Sequence, residues 1–208
     1  MPTLVGKPAP IFNLDAIVDG QESTLDLADF IGKQEVVIFF YPKDFTFVCP
    51  TELFSFQENL AKFEERGVKV IGVSTDTVQT HWAWLNTPKN KGGIEGIKYP
   101  LIADDSKVMA MGYGVLGGEY FYDEDDELQF DGDPIAYRGT FFIDKEGIVR
   151  HEYVNFFPLG RNIDDTLRIV DAWHHHQEFG EVCPANWTKG DDAMAENHDG
   201  VADYLSKH

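Results

Sequence analysis

Val36-Val37-Ile38-Phe39-Phe40-Tyr41-Pro42-Lys43-Asp44-Phe45-Thr46-Phe47-Val48-Cys49-Pro50-Thr51-Glu52 is the stretch on which the reading of this chain turns. Residues 36–40 are an unbroken apolar run, the pattern of a strand covered on both faces. A short turn follows, and Cys49 then opens a helix. Pro50 suits the first helical turn, where a missing N–H costs little. Leu53, Phe56, Leu60 and Phe63 recur at helical spacing on one face. They predict one helix from residue 50 that stops at Gly67. The unpaired N–H groups and the dipole of a helix start favour thiolate over thiol. Cys49 is therefore a candidate nucleophile.

Residues 68–74 read as a second buried strand, so 35–74 is a strand-helix-strand unit of parallel pairing. Upstream, residues 9–18 alternate weakly, as in an edge strand or hairpin, with a turn at Asp19-Gly20. Ser23 or Thr24 is expected to begin a short turn. Downstream the pattern predicts a helix at 76–85, a loop at 88–96, a short strand at 101–105 and a helix at 106–111. Strands 138–143 and 147–154 are joined by the hairpin signal Asp144-Lys145-Glu146-Gly147. Asn162 caps a helix with Ile163, Leu167, Val170 and Trp173 on one face, and Gly180 follows. Residues 117–134, with Asp123-Glu124-Asp125-Asp126-Glu127, read as a solvated acidic loop. The polar remainder reads as an arm with a small helix at 201–207. The fold expected is α/β, a central mixed sheet flanked by helices. A thiol at a helix start after a central strand is thioredoxin-like.

Composition narrows the function. The 208 residues are 43% hydrophobic and 13% aromatic, enough for a packed core. No window approaches the roughly 20 apolar residues of a membrane span. The first residues lack the apolar core of a signal peptide, so a cytoplasmic location is expected. The net charge of −19 argues against nucleic acid and against anionic membranes as partners. Cys49 and Cys183 are the only cysteines. Without Cys-x-x-Cys or a Cys/His cluster at zinc spacing, neither a metal nor another cofactor is expected. His174-His175-His176 closes a helix, where consecutive side chains point around the axis. Imidazole placed at a helix C-terminus is the simpler account. Trp82, Trp84 and Trp173 read as core or interface aromatics, and Met109 and Met111 as packing residues.

Pro42, Thr46 and Cys49 form Pro-x-x-x-Thr-x-x-Cys, followed by Pro50-Thr51-Glu52. With Gly180-Glu181-Val182-Cys183-Pro184-Ala185-Asn186-Trp187 downstream, the chain resembles a typical 2-Cys peroxiredoxin or alkyl hydroperoxide reductase C. The resemblance implies a thiol peroxidase for hydrogen peroxide and alkyl hydroperoxides. It makes Cys49 the peroxidatic thiol, Thr46 and Pro42 its pocket, Arg138 the catalytic arginine and Glu52 the group that orients it. Arg161 matches a second arginine near the site. Cys183 becomes the resolving cysteine, on a partner subunit, and Trp187 an anchor of its arm. Residues 1–172 become the peroxidase domain and 173–208 the arm. Thioredoxin or a flavoprotein disulfide reductase becomes the reductant. Homodimers, and rings of five dimers with contacts near residues 75–84, become the assembly.

The chain departs from the resemblance in two places. Overoxidation-sensitive members carry Gly-Gly-Leu-Gly and a C-terminal Tyr-Phe. Here Gly92-Gly93-Ile94-Glu95 and Tyr204-Leu205 half-match, which implies intermediate-to-robust behaviour towards excess peroxide. The acidic segment before Arg138 is longer than usual by roughly a dozen residues. Two other functions fit the fold. A disulfide oxidoreductase wants Cys-x-x-Cys, but position 46 is Thr; a redox-linked holdase chaperone or signalling scaffold is the other alternative.

Overall fold

Strand β3 (Glu35–Phe40) is buried at every position and lies between β4 (Val68–Ser74), to which it is parallel, and β8 (Arg138–Ile143), to which it is antiparallel. These belong to a seven-stranded mixed sheet of order β2-β1-β5-β4-β3-β8-β9. Its other strands are β1 (Asn13–Val18), β2 (Gln21–Asp26), β5 (Leu101–Ala103) and β9 (Val149–Asn155). The chain is described from a computed structural model that covers residues 3–208. It divides into two units, one up to Arg161 and one from Asn162.

Alternation along β3 builds the core of the first unit. Val36, Ile38 and Phe40 join Met109 and Ala110 of the short α4 (Val108–Gly112), together with Tyr113 and Phe141. On the opposite face, Phe39 stacks on Phe56 of α1 (Cys49–Glu58) at 4.0 Å between ring centres. Tyr41 lies 6.2 Å from Trp84 of α3 (Val78–Leu85). The sheet thus has helices on both faces, and the expected thioredoxin-like α/β architecture is present.

The topology brings distant residues to one end of the sheet. The parallel β3, β4 and β5 all finish there, and the antiparallel β8 begins there. Thr140 of β8 faces Phe39, so Arg138 stands beyond the end of β3, near the start of α1. Asn155 of β9 pairs with Arg138, so the segment after β9 emerges at the same end.

Several expectations change. The helix after Cys49 is two helices, α1 and α2 (Leu60–Glu65), separated at Asn59. The Asn59 amide Nδ2 donates to Ser55 O at 2.9 Å, so a side chain competes with the backbone ladder there. Ser23 and Thr24 lie inside β2; the turn that follows, Leu27–Asp29, is capped by Asp26. Residues 117–134 are not a loop. They lie within a hairpin of β6 (Leu116–Tyr122) and β7 (Leu128–Ala136). Tyr120 faces Phe130 and Tyr122 faces Leu128, cross-strand pairs that offset the acidic composition. The acidic run is its turn, where Asp123 Oδ1 accepts from the N–H groups of Asp125 and Glu127. Gly118 has no room for a side chain, since a Cβ would lie 2.2 Å from Asp131 O.

The second unit holds α5 (Ile163–Phe179), capped by Asn162 and ended by Gly180 at φ 67°. After it come the small hairpin β10 (Glu181–Val182) and β11 (Met194–Ala195), then α6 (His198–Lys207). Trp187 is buried and donates from Nε1 to Asp191 O. No helix among the described residues is long and apolar enough to cross a membrane.

Phe56→Ala removes the ring on which Phe39 stacks and leaves a cavity under α1. It should lower unfolding stability by about 3–5 kcal/mol, read as a shifted denaturant midpoint.

Candidate active site

Cys49 is the first residue of α1, and Val48 before it offers no side-chain cap. The sulfur is fully buried. Arg138 Nη1 donates to Cys49 Sγ at 3.4 Å and to Glu52 Oε2 at 2.5 Å, while Arg138 Nε donates to Phe157 O at 2.7 Å. The carbonyl and the carboxylate set the plane and aim of the guanidinium.

Glu52 is the hub. Its Oε1 accepts from Arg161 N at 3.0 Å and Arg161 Nε at 2.9 Å. Its Oε2 accepts from Arg161 Nη2 at 3.0 Å besides Arg138. A carboxylate offers about four acceptor positions, and all are filled. Arg161 also donates to Gly139 O and Thr140 Oγ1, and its guanidinium lies 5.0 Å from the Phe39 ring centre. The side chains of Glu52, Arg138 and Arg161 are at most 4% exposed.

Two guanidinium groups against one carboxylate leave one positive charge in a buried site, beside the Cys49 sulfur.

Thr46 is half-buried and donates to Lys43 O at 2.8 Å. Its proton is engaged, so its oxygen presents lone pairs to an incoming O–H. Pro42 is buried and brings no N–H. Arg138 therefore contacts both Cys49 and Glu52, and Pro42 and Thr46 lie in the loop leading to Cys49. Arg161, only a secondary match in the sequence, makes more contacts to Glu52 than Arg138 does. Asp44 and His81, which no sequence pattern marked, form a buried 2.7 Å pair in the same region.

Cys183 belongs to the second unit. It is partly buried, and Sγ donates to Ala172 O at 3.7 Å. Burial pushes its thiol pKa up, Glu181 adds to the shift and Arg168 opposes it. In the histidine run, His175 pairs with Glu181 at 2.8 Å and His176 Nδ1 meets Glu181 O. No group of three or more His, Cys, Asp and Glu among the described residues could hold a metal ion.

Residues 5–152 match the family described as AhpC/TSA. The chain belongs to the AhpC/TSA family, the peroxiredoxins. Residues 172–207, which include Cys183, match the C-terminal domain of 1-Cys peroxiredoxin. The chain is 46% identical to alkyl hydroperoxide reductase C of Helicobacter pylori, over 99% of this chain and 98% of that protein. It is equally identical to peroxiredoxin-2 of Bos taurus, over 98% and 96%. Among solved structures it is similar to the reduced 2-Cys peroxiredoxin of Plasmodium vivax, with a TM-score of 0.89 at 43% identity, over 99% of this chain and all of that one. The Enterococcus faecalis AhpC structure gives a TM-score of 0.75 at 33% identity, over 88% and 100%. This peroxiredoxin is an enzyme, a thiol-dependent peroxidase.

Two outcomes follow from the geometry. Glu52→Gln leaves two guanidinium groups without their shared anion. It should cost about 3–5 kcal/mol, measured by urea unfolding. Cys183 holds less thiolate at neutral pH than an ordinary thiol, because its pKa is raised. In Cys49→Ser protein, iodoacetamide should alkylate Cys183 more slowly than free cysteine at pH 7.5, and the rate should climb as pH rises.

Proposed function

We propose that Cys49 is the peroxidatic nucleophile and Arg138 its electrostatic partner. The observation that carries this reading is the 3.4 Å contact from Arg138 Nη1 to Cys49 Sγ within a cluster of surplus positive charge. The thiolate attacks one peroxide oxygen. An S–O bond forms, the O–O bond breaks, and the other oxygen leaves as hydroxide or alkoxide. A solvent proton converts it to water or an alcohol, because arginine stays charged. Cys49 remains as sulfenic acid. Arg138 and the open helix start stabilise the charge moving between sulfur and oxygen. Thr46 accepts from the peroxide O–H, Pro42 excludes water, and Glu52 with Arg161 holds Arg138 in place.

Cys183 is the resolving thiol, supplied by the partner subunit of an antiparallel dimer. Its sulfur displaces the sulfenic oxygen as water, giving an intersubunit Cys49–Cys183 disulfide. The first turns of α1 must open for the sulfurs to meet. In functional terms, residues 1–172 act as the peroxidase domain and 173–208 as the arm that delivers the second thiol. A dithiol protein, either thioredoxin or a flavoprotein disulfide reductase, returns both cysteines to thiols and leaves oxidised. Dimers gather into rings of five, and the enzyme works in the cytoplasm, where thiols are kept reduced.

Cys49→Ser should abolish peroxide consumption; unchanged turnover would refute the assignment. Arg138→Lys keeps a charge but loses the fork, and should lower kcat/KM for peroxide on the order of a hundredfold. Cys183→Ser should retain sulfenic acid formation after one equivalent of peroxide. It should also lose the disulfide-linked dimer band that the unmutated protein gives on a non-reducing gel.

A further inference from the structure

Beside the site lies a buried polar cluster that the reaction above leaves unused. Tyr41, Asp44, Ser74 and His81 are at most 4% exposed and Asp76 is 8% exposed. Asp44 belongs to the loop between β3 and α1, which ends at Cys49. Its Oδ1 accepts from Tyr41 OH at 2.9 Å, and its Oδ2 lies 2.7 Å from His81 Nδ1. Its backbone N–H donates to Asp76 Oδ2 at 2.7 Å, and Asp76 Oδ2 also accepts from Ser74 Oγ at 2.9 Å. His81, on α3, faces Ile102 O of β5 through Nε2 at 3.1 Å. A carbonyl can only accept, so Nε2 carries a proton, and a second proton lies between Nδ1 and Oδ2. Burial opposes a charged imidazole here, but the Asp44 hydrogen bond and charge outweigh it and raise the His81 pKa. The loop is thus tied to α3, β4 and β5 through groups shielded from water.

The neighbouring backbone shows what the tie restrains. Phe45, next to Asp44, has φ 53°, in the left-handed region. Bulky residues persist there only where the surroundings over-determine them. Its ring packs 5.8 Å from Trp84 of α3. Thr46 then closes the turn on Lys43 O at 2.8 Å. Asp44 is clamped on one side of the left-handed residue and Thr46 is fixed on the other.

We propose that the Asp44–His81 pair, braced by Tyr41 and Asp76, is a positioning device. It holds the left-handed turn at Phe45, and with it the Thr46–Cys49 segment, in the folded, peroxide-reactive form. The proposal rests on the reading of Cys49 as the peroxidatic thiol. The first turns of α1, which that segment leads into, must open before the second thiol can reach Cys49. The pair therefore sets the balance between a form that meets peroxide and a form that meets Cys183. Loosening it slows sulfenic acid formation and speeds disulfide formation. It also protects Cys49 from further oxidation, because the open form is drawn off sooner. A group that only stabilised the fold would not drive the two rates in opposite directions.

The test uses the full-length protein carrying Asp44→Asn, His81→Asn or Tyr41→Phe, with folding checked by circular dichroism. Stopped-flow fluorescence gives the rates of sulfenic acid and disulfide formation, and intact mass gives the sulfinic fraction at excess hydrogen peroxide. For Asp44→Asn and His81→Asn the peroxide rate should fall roughly tenfold. Disulfide formation should rise several-fold and the sulfinic fraction should drop. Tyr41→Phe, which removes the hydroxyl that contacts both Asp44 and His81 and keeps the pair, should move all three the same way by less. Rates that are unchanged, or that fall together, overturn the proposal. If Asp44→Asn or His81→Asn fails to fold, Tyr41→Phe decides by the same criteria. Unmutated protein measured alongside separates the two readings. If it fails to consume peroxide, the assigned function is wrong; if it is active and the variants are unmoved, only the positioning role is wrong.

Discussion

A carboxylate with every acceptor position occupied holds the site together. Glu52 receives four N–H groups from Arg138 and Arg161. Without it, two guanidinium groups would share a buried space with no anion, and neither would have reason to enter. With it, both are retained and one positive charge is left for the sulfur. The remaining contacts refine this balance. Phe157 O turns Arg138, Gly139 O and Thr140 Oγ1 hold Arg161, and the rings of Phe39 and Phe56 lie against Arg161.

That arrangement requires the strand order found here. Glu52 comes from the first turn of α1, Arg138 from the start of β8 and Arg161 from the segment after β9. These positions are far apart in sequence. They meet because β8 runs antiparallel to β3 and β9 antiparallel to β8, so two chain reversals return to the end where β3 hands over to α1. An all-parallel sheet would send the start of β8 to the opposite end. The mixed character of the sheet is therefore a requirement of the site.

The elements that make the fold were legible where burial wrote a periodic pattern. β3 carries an unbroken apolar run at 36–40, β4 and β8 are mostly apolar, and the caps Asn162 and Gly180 sit where the residue types place them. The pattern misled where local chemistry prevailed. Asn59 looks like one helical residue among many, but its amide competes for Ser55 O and divides the helix. The acidic run at 123–127 suggested a solvated loop, because charge masked the flanking alternation of Tyr120, Tyr122, Leu128 and Phe130. Within the site, the motif around Cys49 and the isolated Arg138 stood out. Asp44 and His81 did not, since a buried hydrogen-bonded pair across sequence-distant elements leaves no spacing to read. One faint signal existed: Val78, His81 and Trp84 share the buried face of α3, and a histidine in such a row needs partners.

Two demands on the loop between β3 and α1 conflict. On the proposed assignment, peroxide chemistry rewards a rigid approach to Cys49, because reactivity then depends on how closely the sulfur, Arg138 and Thr46 are held. Disulfide formation rewards release of the same residues. Burial differs along α1. Leu53 and Phe56 are fully buried, so they anchor the later turns of α1 on the sheet. The first turn has no side-chain cap at Val48; it is held by Glu52 through Arg138 and Arg161 and by the sulfur's own contact with Arg138. On the proposed reaction, in which a Cys49 thiolate becomes a sulfenic acid, Arg138 loses the negative charge at the sulfur. That step then weakens one of the restraints on the turn, at the point where the second thiol is proposed to arrive.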